Sequence, residues 1–207
     1  MKNQTNKKGL LVVVSGPAGS GKGTVNHILL QSPDYAFSVS ATTRAPRPGE
    51  VDGVNYHYIT VDQFEERIRQ GELLEYTKYC NNYYGTLLSE TEKALAEGKN
   101  LILEIEVEGA INVKRIYPEA ILIMLLPPTF AVQEQRLRGR ATETEEVILQ
   151  RLERTREEMN FLDAYDYIVY NYDGEADACA EDIRRIVEAE KHALRRNPNA
   201  KNIFFEI

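Results

Sequence analysis

Apolar and amphipathic runs alternate along this chain. Leu10 to Val14 is apolar throughout and breaks into Ser15-Gly-Pro-Ala-Gly-Ser-Gly-Lys-Gly-Thr24, after which Val25, Ile28 and Leu29 recur at helical spacing. That order predicts a strand, a glycine-rich turn and a helix. Ser32-Pro33-Asp34 reads as a stop, and Ala36 to Ser40 alternates as a short strand does. Asp52-Gly53 is a hairpin signal between Glu50-Val51 and Val54 to Ile59. Thr60 and Gln63 form a capping box for a helix that carries Val61, Phe64 and Ile68 and stops at Gly71. Leu73 to Tyr79 and Tyr83 to Thr86 read as strands joined through Asn81-Asn82.

Further on, the spacing predicts a helix over 89–97, ended by Gly98, and an apolar strand over 100–107. A helix over about 109–116 follows, then an apolar strand over 120–126 that stops at Pro127-Pro128, with Thr129 capping the next helix. Arg136 to Thr142 reads as a basic turn, and the box Thr142 to Glu145 opens a long amphipathic helix. Tyr167 to Tyr170 is a last strand, before a charged helix over about 176–194. No element is assigned to the tail around Ile203 to Phe205. Strands alternating with helices imply the α/β class, a parallel sheet with helices on both faces. A mostly β, tyrosine-rich insertion interrupts it.

The glycine-rich turn carries the first candidate chemistry. Gly16, Gly19 and Gly21 permit positive φ, so successive N–H groups can line a concave nest for phosphate oxygens, and Lys22 adds a mobile charge beside a helix N-terminus. The phosphate-loop pattern asks for Ser or Thr directly after the lysine. Here Gly23 holds that place and the hydroxyl moves to Thr24. A bound Mg²⁺ would therefore be held by substrate phosphates and water, with no strong direct protein ligand, Glu104 being the carboxylate best placed to assist. Glu104 and Glu106 fall on one face of the predicted strand and near its carboxyl end, where ligands of parallel sheets bind.

Arginines supply the offsetting charge. Thr42 to Glu50, with Pro46 and Pro48, is a stiff loop displaying Arg44 and Arg47. Arg136 and Arg151 have no acid three or four residues away, whereas Arg154 has Glu158 and Arg140 has Glu143 only if a helix runs through Gly139. Arg136, Arg140 and Arg151 are thus candidates for external phosphate, on a segment able to close as a lid. Arg44, Arg47, Tyr56 and Tyr84 suit a second phosphate as a set, although each tyrosine taken singly reads as a core residue before a ligand.

Composition narrows the class. The chain has 207 residues, 28% charged and 43% hydrophobic, with net charge −7. This is ordinary globular composition, and the negative balance argues against nucleic acid or anionic membrane as a partner. Cys80 and Cys179 lack CxxC neighbours, so reduced thiols and a cytoplasmic location are expected. His27, His57 and His192 have no metal-ligand spacing. The expected organisation is a flexible leader over 1–9 and one domain over 10–207. Its core would comprise 10–39, 99–131 and 155–207, its insertion 40–98 and its lid 132–154.

The runs Phe37 to Glu50, Asn82 to Thr86, Leu103 to Gly109 and Arg136 to Arg151 resemble guanylate kinase in order and spacing, over roughly Leu10 to Asn171. The resemblance implies a P-loop kinase core with a GMP-binding insertion and a helical lid. It implies ATP bound by Gly16, Pro17, Ala18, Gly19, Ser20, Gly21, Lys22, Gly23 and Thr24, with Asn171 beside the adenine. GMP would be bound by Ser40, Glu75, Glu104 and Glu106 near the base, Thr86 supporting it, and Arg44, Arg47, Tyr56 and Tyr84 on the phosphate. Lys22, Arg44, Arg136, Arg140 and Arg151 would stabilise the transferred phosphoryl group, with Mg²⁺ as cofactor and a monomer or small homo-oligomer as the assembly. GMP is the implied acceptor, with dGMP left open.

The chemistry of the base agrees. Guanine offers N1–H and an exocyclic amine to one carboxylate, where adenine N1 is an acceptor. The chain departs from the family pattern at Gly23-Thr24, at Glu104 and Glu106 in place of aspartates, and at Glu108 in place of glutamine. Two rival readings are a same-fold kinase for another acceptor, such as AMP, and a noncatalytic peptide-binding module. Retention of Lys22 and the lid arginines weighs against the module.

Overall fold

The computed structural model describes residues 8–79, 81–139 and 144–205. In chain order the elements are β1 (Leu11–Ser15), α1 (Lys22–Leu29), β2 (Tyr35–Phe37), β3 (Ala41–Thr42), β4 (His57–Tyr58), α2 (Val61–Gln70), β5 (Leu73–Tyr79), β6 (Asn82–Leu87) and α3 (Leu88–Ala96). Then follow β7 (Asn100–Glu104), α4 (Val107–Ile116), β8 (Ile121–Leu126), α5 (Phe130–Gly139), α6 (Glu145–Met159), β9 (Tyr167–Tyr170), α7 (Ala176–Lys191) and α8 (Ala200–Phe205).

A parallel sheet in the order β2-β7-β1-β8-β9 forms the centre. Because strand side chains alternate, β1 feeds two cores at once. Val12 and Val14 pack with Val25 and Leu29 of α1 and Ile183 and Val187 of α7. Leu11 and Val13 face the other way, against Leu95 of α3 and Ala110 and Val113 of α4. Helices thus cover both faces, as the all-apolar strands require. Among the described residues no helix is long and apolar enough to cross a membrane.

The second sheet, β4-β3-β6-β5, is mostly antiparallel and has its own core of Ala41, Phe64, Leu73 and Leu87. Of the strand expected over 36–40 only Ala36 and Phe37 are strand, as part of β2 in the parallel sheet; at Ser38 to Ser40 the chain crosses to the small sheet, which it joins as β3. The expected hairpin at Asp52-Gly53 does not form. Asp52 makes a single bridge to Tyr56, and side chains take the donors a ladder would use. Asp52 Oδ1 accepts from the Tyr58 N–H at 2.9 Å and Asn55 Oδ1 from the Val51 N–H at 2.8 Å.

Other boundaries follow the sequence closely. The Thr60–Gln63 capping box is present and α2 ends on Gly71 in the left-handed region. Thr129 Oγ1 accepts from the Val132 N–H at the start of α5. Thr142 of the expected second box, together with Arg140, lies outside the described residues, and Thr144 is the N-cap of α6 without a side-chain bond. Arg136 and Arg138 belong to the last turn of α5 and not to a loop, since that helix runs to Gly139. Cys179 is buried in the core, and Cys80 lies outside the described residues.

Candidate active site

The loop between β1 and α1 is fixed from three sides. Gly16 lies so close to β8 that a Cβ there would sit 2.1 Å from the Leu125 carbonyl oxygen. Gly21, the N-cap of α1, has φ 92°, and Asn171 Nδ2 donates to the neighbouring Ser20 carbonyl at 2.8 Å. Gln133 Nε2 of α5 donates to the Ala18 carbonyl at 2.9 Å and to Thr155 Oγ1 of α6 at 2.7 Å, so one buried amide joins loop, α5 and α6. The Lys22 ammonium folds back onto the Gly16 and Pro17 carbonyls at 2.5 and 3.4 Å.

Outside this loop lies a cavity of about 450 Å³, walled by Pro17 to Thr24 except Ser20, by Glu104 and Glu106, and by Arg151, Arg154 and Glu158 of α6. A second cavity of about 290 Å³ lies towards the small sheet and is lined by Phe37, Ser38, Ser40, Asn55 and Tyr56. The two share Lys22, Glu104 and Glu106. A third, about 330 Å³, shares Gly19, Gly21 and Thr24 with the first and extends past Arg136 and Asn171 to Gly174 and Ala176. Three hollows therefore run end to end across the carboxyl ends of the parallel strands.

The strand expected to reach Val107 stops at Glu104, and Glu106 is the N-cap of α4. The two carboxylates share the cleft because the chain turns there from strand to helix, and not through strand alternation. Glu158 is buried in the cavity wall, and burial together with the nearby Glu106 pushes its carboxyl above the usual range, with Arg154 and Lys22 opposing. Arg154 is held only at long range, 3.4 Å from Glu158, 3.5 Å from Glu108 and 3.6 Å from Glu157.

In the small sheet a register shift between Leu73 and Glu75 places Glu75 opposite Thr86. The Thr86 hydroxyl donates to Glu75 Oε1 at 2.8 Å, both side chains are buried, and burial raises the Glu75 pKa. Arg44 lies over the rings of Tyr56 and Tyr58, its guanidinium bonded at 2.9 Å to each oxygen of Glu50. Tyr84 meets Tyr56 edge to face. Glu50 also accepts from the Arg47 N–H and the Tyr58 hydroxyl, which holds its carboxyl down to about 2.

The family model described as Guanylate kinase matches residues 8–190. The chain belongs to the guanylate kinase family. The guanylate kinase of Streptococcus thermophilus is 48% identical over 192 residues, 92% of this chain and 91% of that protein. The guanylate kinase of Streptococcus agalactiae serotype III is 47% identical with the same coverage. The crystal structure of guanylate kinase from Anaplasma phagocytophilum superposes with a TM-score of 0.70 at 28% identity, covering 93% of this chain and 91% of that one. The mixed α/β fold with its parallel sheet is thus that of a guanylate kinase.

Seen as a guanylate kinase, the chain brings together the phosphate loop, Glu104, Glu106 and Arg151 in one cavity and Ser40 and Tyr56 in the next. Arg136 and Asn171 line the third. Arg136 is committed there, pairing with Asp173 at 2.6 Å and donating to the Asn171 carbonyl at 2.8 Å. Arg47 is exposed and lines none of these three cavities. Arg154, Glu158, Asn55 and Gln133 escape the sequence reading. Arg154 has an acidic neighbour four residues on, the pattern of a surface ion pair, and the others carry no local signal.

Among the described residues no group of three His, Cys, Asp or Glu is placed to hold a metal. The oxygen donors lining the first cavity, Thr24, Glu104, Glu106 and Glu158, are of the hard type Mg²⁺ takes, but among the described residues its carboxylates are not grouped to cage an ion. The site thus fits a hydrated ion carried on phosphate.

Proposed function

We propose that the protein transfers the γ-phosphoryl group of ATP to the phosphate of GMP, giving ADP and GDP. The observation that carries this reading is the shared wall of the first two cavities at Lys22, Glu104 and Glu106. A donor phosphate in the loop and an acceptor phosphate in the neighbouring hollow would meet there. An oxygen of the GMP phosphate attacks the γ-phosphorus, the bond to the bridging oxygen breaks, and ADP leaves with the charge. The acceptor oxygen is already anionic, so no general base is assigned and catalysis rests on alignment and charge.

In this reading the loop N–H groups and Lys22 hold the β- and γ-phosphates, Arg151 covers them from α6, and Asn171 with Arg136 borders the adenine. Arg140 is assigned to the transferred group from the sequence alone. Glu75 accepts from guanine N1–H and the amine, with Thr86, Ser40 and Glu106 around the base; Arg44, Arg47, Tyr56 and Tyr84 hold the GMP phosphate, Arg44 exchanging Glu50 for it. Mg²⁺ would supply charge neutralisation on the phosphates, held by their oxygens and by water that Glu104 and Thr24 orient. Closure of α5 and α6 over the phosphates would exclude water. We assign the protein to the cytoplasm on the same reading.

An assay coupled to ADP release, run with GMP and AMP in parallel, tests this. Turnover with GMP and little with AMP is expected. Equal or greater turnover with AMP would place the chain with the other acceptors, and none with either would leave a binding module.

A further inference from the structure

Asn26 sits on α1 one helical turn beyond Lys22 and is 2% exposed. Its Nδ2 donates to Glu104 Oε2 at 2.7 Å, while its Oδ1 is buried without a partner. An unpaired buried acceptor costs stability, so this amide is a poor choice for packing alone. An apolar residue of similar volume would remove that cost. What Asn26 does is restrain a carboxylate that borders both cavities together with the Lys22 ammonium.

The ammonium is surrounded by acids yet pairs with none. It donates to the Gly16 and Pro17 carbonyls, and among the described residues it forms no ion pair with a carboxylate. Opposite charges sharing a partly desolvated cavity attract strongly. A glutamate there has two methylenes of freedom and, untethered, would swing onto the lysine and cancel the charge. An amide is suited to prevent this, since it binds the carboxylate by a charge-assisted hydrogen bond while adding no charge.

Resting on the kinase reading above, we propose that Asn26 is a positioning residue: it holds the Glu104 carboxylate away from Lys22, so that the ammonium stays available to nucleotide phosphate. The longer Glu104 makes the tether necessary. A shorter aspartate at 104 would have less reach and less need of it.

The test titrates MgATP calorimetrically, without GMP, into wild type, Asn26→Leu, Glu104→Asp and the double variant, alongside thermal melts. Asn26→Leu is expected to weaken MgATP binding about tenfold, the worth of a hydrogen bond to a charged group. Its melting temperature is expected to equal or exceed that of wild type. In the Glu104→Asp background the same substitution is expected to change binding by less than about twofold, a non-additivity that contact through Glu104 demands. Asn26→Ala, which cannot overpack, is the second probe and is expected to weaken binding likewise. Unchanged MgATP affinity in both Asn26 variants would overturn the proposal. So would an equal loss in both Glu104 backgrounds, which would mark Asn26 as structural. A wild type that turns over ATP and GMP but is indifferent to Asn26 defeats this inference only, whereas an inactive wild type defeats the kinase reading.

Discussion

Thr86 and Glu75 face each other across the small sheet, hydroxyl to carboxylate at 2.8 Å, because a one-residue bulge re-aims Glu75 away from plain alternation. The pair lies buried, and burial raises the Glu75 pKa. A carboxyl whose folded pKa is raised binds its proton better folded than unfolded, so it destabilises the fold once pH rises above the ordinary carboxylate range. Glu75→Gln is therefore expected to raise the melting temperature at neutral pH by about 2–4 °C for ~1 kcal/mol. The gain should shrink on acidification. The same substitution exchanges an acceptor for a donor before guanine, and the preference for GMP over AMP is expected to fall about tenfold or more. Selectivity unchanged in parallel kinetics would remove Glu75 from base recognition.

Lys22→Met removes the ammonium while keeping an unbranched side chain only one heavy atom shorter. The loss expected is about 10²–10³ in kcat, typical of deleting one preorganised charge at a developing anion. Lys22 bonds only to loop carbonyls among the described residues, so the melt is expected to move little. Undiminished turnover would reject the role.

Arg154 faces the first cavity and is loosely held, with its nearest carboxylate oxygen at 3.4 Å. Weak tethers of this kind leave a guanidinium ready to exchange partners. Arg154→Ala is expected to raise the KM for ATP about fivefold, near the ~1 kcal/mol of a partly exposed ionic contact, and to leave the KM for GMP unaltered. An unchanged KM for ATP would return Arg154 to the surface ion pairs.

Glu50 organises the arginine loop by accepting from Arg44, the Arg47 N–H and the Tyr58 hydroxyl, which lowers its pKa to about 2 from 4.5. A depressed carboxyl stabilises the fold above its unfolded pKa and loses that contribution as pH falls towards its folded one. Glu50→Gln is expected to flatten the acid limb of the stability profile between 4.5 and about 2. It is also expected to raise the KM for GMP about threefold or more through a disordered Arg44, as loss of a charge-assisted bond implies. A parallel acid limb in both proteins would deny Glu50 this part.

What the sequence announces is whatever depends on neighbours in the chain. The apolar runs, the glycine-rich turn and the Thr60–Gln63 cap all act within a few residues, and each appears in the structure near its expected place. Glu104 and Glu106 reach the cleft as expected but by another route, since whether a strand ends at 104 or 107 depends on how α4 packs. Pairs that only tertiary contact creates were invisible. Arg136 meets Asp173 from 37 residues away and Asn26 meets Glu104 from 78, distances over which no periodicity carries information. The bulge at β5 is equally hidden, because in a strand of seven residues that mixes apolar and polar positions one inserted residue leaves too little alternation on either side to show the break.

Gly21 joins the loop's backbone conformation to the third cavity. Its φ of 92° lies where side chains are strained, and a Cβ there would stand 2.2 Å from Asn171 Nδ2. That nitrogen donates to the Ser20 carbonyl at 2.8 Å, so a methyl group must either break this bond or distort the loop. Gly21→Ala is therefore expected to lower the melting temperature by about 2–12 °C, from ~1–3 kcal/mol of backbone strain. The KM for ATP is expected to rise about tenfold or more, and the KM for GMP to hold, because the lost contact serves only the donor side. Gly23→Ala supplies the contrast. Gly23 is helical with open space around it, so an added methyl should leave the melting temperature equal or higher. Were both variants to melt alike, the Asn171 bond to the Ser20 carbonyl would not depend on Gly21, and the third cavity would need another support.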